Sequence, residues 1–181
     1  MRDTRKILRH RRKPIVTEIN AYQLWDHAQQ YLGAAELIMR SSPQLIFPCY
    51  LLVCQSIELG LKAFLRLNGC TTEWLKNRIG HDIKKGLKTA LPYGLKLSDE
   101  NFKLAVAELS PLYTDRQFQY FDRPKIEMPG VESCCKATRS FLEDIRPGCE
   151  KERISTLRKL LEKRKSCLAD GGGLPVDSAS H

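Results

Sequence analysis

From about residue 17 to about residue 168, apolar residues recur at steps of three and four, the period of amphipathic helices. The first stripe is Ile19, Tyr22, Trp25, Ala28, Tyr31, Leu32, Ala35, Ile38 and Met39, and it predicts a helix capped by Thr17 and running to about Arg40. Ser41-Ser42-Pro43 breaks the pattern. The second stripe, Tyr50, Val53, Cys54, Ile57, Leu61, Phe64 and Leu65, is the most apolar of all and predicts a central helix. Pro48 marks or kinks its start, and Asn68-Gly69 supplies a stop near Leu67. Gly60 inside this helix costs about 1 kcal/mol against Ala, which a close approach by another helix would explain.

Shorter elements follow. Thr71-Thr72 can cap a short helix through Ile79. Gly80-His81-Asp82 is a turn whose Asp82 can cap the next helix, which carries Ile83, Leu87, Ala90 and Leu91. Ser98, with Asp99 and Glu100, opens a helix carrying Phe102, Ala105, Val106, Leu109, Leu112 and Tyr113, and Pro111 ends or bends it. Residues 114–130 read as an ordered loop. A helix from about Val131 to Ile145 is ended by Arg146-Pro147-Gly148, and a last polar helix spans about 150–168. No strand alternation and no repeat interrupts this pattern. The predicted fold class is therefore all-α, an up-and-down four-helix bundle with additional short helices over residues 17–168, with a terminal segment on each side at 1–16 and 169–181.

A chain of 181 residues fits one domain plus tails, and 42% hydrophobic content excludes a wholly disordered chain. No uninterrupted apolar run approaches membrane-spanning length, so no membrane role is expected. The net charge of +9 suggests a polyanionic partner. It is unevenly placed. Residues 1–13 hold seven Lys/Arg against one Asp, and residues 150–167 hold seven against three Glu. Residues 14–149 carry only +1, so the charge is expected to act through the two ends rather than a basic groove across the bundle. The seven cysteines are odd in number and form no CxxC pair. That spacing offers no metal knuckle, and neither metal nor cofactor is expected. No apolar segment of signal type follows the basic start, so the expected location is the reducing cytoplasm.

The block Ser56-Ile57-Glu58-Leu59-Gly60-Leu61-Lys62-Ala63-Phe64-Leu65, followed by Asn68-Gly69 and Gly80-His81-Asp82-Ile83, resembles the HEPN superfamily of helical-bundle proteins. Tyr113-x-x-Arg116-x-x-x-Tyr120-Phe121 is similar to the Arg/aromatic segment of some members. The resemblance covers roughly residues 17–145. It implies a bundle that is often a homodimer. It also implies roles in RNA cleavage, in defence or toxin–antitoxin modules, or as the partner of a nucleotidyltransferase-like protein. Ribonuclease members carry Arg-x(4–6)-His. Here only two residues separate Arg78 from His81, and the one formal match, Arg5-x4-His10, is what composition alone would produce.

The residues themselves offer two kinds of site. Glu58 and Lys62 stand at i and i+4 in the favourable order, either as a pair fixing helix packing or as a polar site within the bundle. His81 can cap or pack, or serve as a general acid/base near neutral pH, with Asp82 available to orient it. Arg78, Arg116 and Lys62 are the cations available to stabilise a phosphorane. The interleaved Arg116-Gln117-Phe118-Gln119-Tyr120-Phe121 suits either a lid on the bundle or base stacking on single-stranded RNA. Three functions follow as expectations: an RNA- or partner-binding module, a metal-independent endoribonuclease using His81 with Arg78 or Arg116, and an adaptor for a nucleotidyltransferase-like partner.

Overall fold

A computed structural model describes residues 19–115, 118 and 128–169. Those residues are all-helical, with no strand among them. The elements are α1 (Ala21–Ser41), α2 (Ile46–Leu67), α3 (Thr72–Arg78), α4 (Ile83–Ala90), a 3-10 turn (Leu91–Tyr93), α5 (Asn101–Thr114) and α6 (Val131–Ala169). The terminal segments 1–16 and 170–181 lie outside the described residues, as do Thr17, Arg116 and Tyr120.

Helix α1 starts later than the sequence predicts, because Asn20 and Gln23 form a reciprocal capping box there. Asn20 Oδ1 accepts from the Gln23 N–H at 2.8 Å, and Gln23 Oε1 accepts from the Asn20 N–H at 3.0 Å. Helix α5 likewise starts at Asn101 rather than Ser98. Ser98 is drawn to α6 instead: its N–H donates to Asp144 and its hydroxyl lies 2.9 Å from the Ser140 hydroxyl. Pro111 sits inside α5, which runs on to Thr114.

The largest correction concerns Pro147. The sequence predicts two helices separated at Arg146-Pro147-Gly148, but α6 is one helix of 39 residues running through them. Proline removes one backbone donor and crowds the carbonyl one turn back. Packing on both sides outweighs that cost. Trp25 Nε1 donates to the Leu142 carbonyl at 2.9 Å, Cys149 is fully buried, and Gly148 lets Leu67 approach so closely that a Cβ there would stand 2.8 Å from Leu67 Cδ1.

Helix α2 is central, packing on α1, α4, α5 and α6. It has 22 residues, and an 18-residue window within it reaches a mean hydropathy of 1.3, so by length and composition alone it could span a membrane although no uninterrupted apolar run is that long. More than half of that window is buried within the protein, and a helix apolar around most of its surface is what a central position demands. Small residues set the α1–α2 spacing: Ala28, Ala35, Ser56 and Ala63 are all fully buried, and Ser56 Oγ donates to the Ala28 carbonyl at 2.8 Å. Gly60 meets α6, where an added Cβ would lie 2.6 Å from Phe141 and 2.7 Å from Leu142. The close helix approach expected from its presence is there. Six cysteines (Cys49, Cys54, Cys70, Cys134, Cys135 and Cys149) are free and buried.

Candidate functional site

The central helix carries one buried carboxylate. Glu58 faces inward with Ser56, Ile57 and Leu61, and its side chain is only 3% exposed. A charge in that position needs partners to offset its lost hydration. It has three, from three directions. Lys62, one turn along α2, places Nζ 2.6 Å from Oε1. Tyr113, near the end of α5, donates its hydroxyl to Oε2 at 2.7 Å. His81, in the turn between α3 and α4, brings Nδ1 to 3.0 Å from Oε2 and 3.2 Å from Oε1. The Tyr113 oxygen also lies 2.7 Å from the Gln55 side-chain amide. Burial first, and then the bond to Glu58, push the Tyr113 phenol well above its ordinary pKa, so it stays protonated and donating.

Local structure fixes His81 against this carboxylate. Gly80 adopts a left-handed conformation (φ 60°) that a side chain would oppose, and its N–H returns to the Leu75 carbonyl. Immediately after, Asp82 caps α4 by accepting from the Lys85 N–H at 2.8 Å. The imidazole is thus held between a helix end and a helix start. A carboxylate offers only acceptors, so facing Glu58 assigns the proton to Nδ1, and Nε2 meets no hydrogen-bond partner among the described residues. The side chain is 75% exposed, with Glu58 behind it.

Of the residues singled out in the sequence, Glu58, Lys62 and His81 converge. Asp82 contributes a helix cap and makes no bond to the imidazole it was expected to be able to orient; Glu58 takes that place. Arg78 is the exposed last residue of α3 and enters no ion pair among the described residues. Arg116 and Tyr120 lie outside them. Tyr113 was missed as a site residue because its position fits the apolar stripe of α5. Its signal was chemical: a tyrosine on a buried face needs a partner for its hydroxyl.

The charge average over residues 14–149 also concealed a feature. Residues 76–96 contain six cations, Lys76, Arg78, Lys84, Lys85, Lys88 and Lys96, against Asp82 alone, for a net +5. All six are exposed, and none enters an ion pair among the described residues. They span the end of α3, all of α4 and the strap beyond it, on either side of His81 in the chain. The folded body, near-neutral on average, therefore contains a locally cationic segment.

No protein-family model, curated protein or solved structure matches this chain.

Proposed function

We propose that this protein is a HEPN-like four-helix bundle that binds RNA, using the cationic segment 76–96 as its phosphate-facing surface with His81 at its centre. The observation that carries this reading is six exposed cations within 21 consecutive residues, none in an ion pair among the described residues, around a fixed, exposed imidazole. Unpaired surface cations keep their full attraction for phosphates and release condensed counterions on binding. If all six engaged a single strand, the salt slope would be about −4, or roughly a 300-fold loss of affinity between 50 and 200 mM salt. The resemblance of the α2 block adds the setting, a prokaryotic defence or toxin–antitoxin module.

Fluorescence anisotropy with a labelled, mixed-sequence single-stranded RNA tests it. Lys84→Glu/Lys85→Glu/Lys88→Glu is expected to lower affinity at least tenfold, and deletion of residues 1–13 to leave measurable binding. Binding that disappears with residues 1–13 and ignores the triple variant would overturn the assignment.

One observation favours a second reading, a metal-independent endoribonuclease. Glu58 holds Nδ1 of His81 and leaves Nε2 exposed, the orientation a general base requires. Nε2 would accept the proton of a ribose 2′-hydroxyl as that oxygen attacks the adjacent phosphorus. The P–O5′ bond then breaks, the 5′-oxygen takes up the proton held on Nε2, and a 2′,3′-cyclic phosphate remains. Lys62, Arg78 and Arg116 are the cations assigned to the phosphorane. Cleavage in EDTA that His81→Ala abolishes while RNA binding persists supports this chemistry; intact RNA in the wild-type reaction excludes it.

A further inference from the structure

Helix α6 outruns the body it packs against. Its last anchors are Glu152, which accepts from the Tyr22 N–H at 3.1 Å, and Arg153, which donates to the Tyr22 hydroxyl at 2.8 Å and lies over its ring. The helix then continues to Ala169, about 24 Å further at 1.5 Å per residue. Along that stretch Ile154, Leu157, Leu160 and Leu161 are 51, 49, 59 and 58% exposed. At 100° per residue they share one face, and that face is bordered by cations. Lys151, Arg158 and Lys165 line one edge, while Arg153 and Arg164 fall between Leu157 and Leu160. Glu152 points elsewhere around the helix, Glu162 sits on the same edge as Lys151 and Arg158, and Glu150, at the base of the stripe, is 3.8 Å from Arg146. An apolar stripe with a predominantly cationic surround is half of an interface.

We propose that the exposed half of α6 docks an acidic amphipathic helix of a partner protein. Charge complementarity selects that occupant. Ile154, Leu157 and Leu161 take the a, d and a positions of a heptad, which places Lys151, Arg158 and Lys165 at e. A second copy of this chain laid antiparallel would set Arg158 against Arg158 and Lys151 against Lys165; laid parallel, it would set Arg153, at g, against Arg158, at e. Both arrangements bring like charges together beside the seam. A helix with leucines on one face and glutamates on its borders covers the stripe and offsets Lys151, Arg153, Arg158 and Lys165. This site is separate from the His81 surface and does not depend on the RNA reading.

The test uses the full chain and a fluorescein-labelled peptide of about three heptads, with Leu at a and d and Glu at e and g. Anisotropy should rise to saturation, with affinity falling at least tenfold between about 50 and 500 mM salt. Leu157→Ser/Leu161→Ser and Arg158→Glu/Lys165→Glu should each weaken binding at least tenfold, with far-UV circular dichroism and the melting temperature retained, since all four side chains are exposed. Absence of peptide binding, or equal binding by the folded variants, overturns the proposal. So does sedimentation with phosphatidylserine vesicles, or self-association in light scattering, where either is abolished by the same leucine substitutions; the stripe would then belong to a lipid surface or to a second copy.

Discussion

Replacing a helical glycine with alanine ordinarily stabilises a protein, and here the same substitution is expected to act in opposite directions at two sites. At Gly60 the new Cβ would lie 2.6 Å from Phe141 Cε1 and 2.7 Å from Leu142 Cδ2, about 1 Å inside normal carbon contact. Neither neighbour can yield freely. Phe141 stacks on Phe102 with ring centroids 4.3 Å apart, both rings are buried, and the Leu142 backbone is held by Trp25. Overpacking of this kind costs about 1–3 kcal/mol. With clamped neighbours the upper end applies, and the gain of about 1 kcal/mol in helix propensity leaves a net loss of about 2 kcal/mol. For a chain of this length that lowers the melting temperature by about 4–8 °C. At Gly33, in the middle of α1, an added Cβ meets nothing within 4 Å, so only the propensity gain remains and the melting temperature should rise by about 2–4 °C. Differential scanning calorimetry on Gly60→Ala and Gly33→Ala compares them directly. A Gly60→Ala protein that melts at or above the wild-type temperature would refute the argument that α2 and α6 touch through this position.

Other outcomes follow from the same structure. Tyr113→Phe removes one donor from the buried Glu58 and should cost about 1.5–3 kcal/mol in urea denaturation; a cost near zero would show that the hydroxyl is dispensable to the carboxylate. Asp82→Ala deletes the α4 cap and should cost about 1 kcal/mol, while Asp82→Asn keeps most of it. Burial pushes the thiol of Cys134 up to about 11 and those of Cys135 and Cys149 up to about 12. Unfolded thiols titrate near 8.5, so the unfolded chain releases protons that the folded one keeps. The stability they contribute is therefore complete below about pH 8.5 and falls above it, by up to about 1.4 kcal/mol per thiol per pH unit. The urea midpoint should be level near pH 7–8 and drop between pH 9 and 11; a level midpoint across that range contradicts the burial of these groups.

The sequence was most legible where local chemistry decides the structure. Asn68-Gly69 ends α2, Thr71 caps α3 and Asp82 caps α4, each through a bond made within a few residues. It was misleading where distant contacts decide. Pro147 is a strong local stop, but Trp25, Leu67 and the burial of Cys149 hold the helix through it, and none of these neighbours can be inferred from residues 143–150. The Glu58–Lys62 pair and the adjacent His81 turn could be read as candidates because spacing and turn residues announce them. Their union with Tyr113 could not, since it depends on how α5 lies across α2, a matter of tertiary packing 55 residues away in the chain. The cationic segment is written plainly in residues 76–96 and disappears when charge is averaged over residues 14–149.

The buried thiols offer a clock for the protein's internal motions. A thiol reacts as the exposed thiolate, so each of these cysteines is silent until the helix that covers it opens. Cys54 lies in α2 at the centre, whereas Cys149 lies in α6 just beyond Pro147. Alkylation rates at the two positions, read by mass spectrometry, would separate release of the distal helix from disruption of the core. They would also measure how far the proline loosens the one turn it occupies.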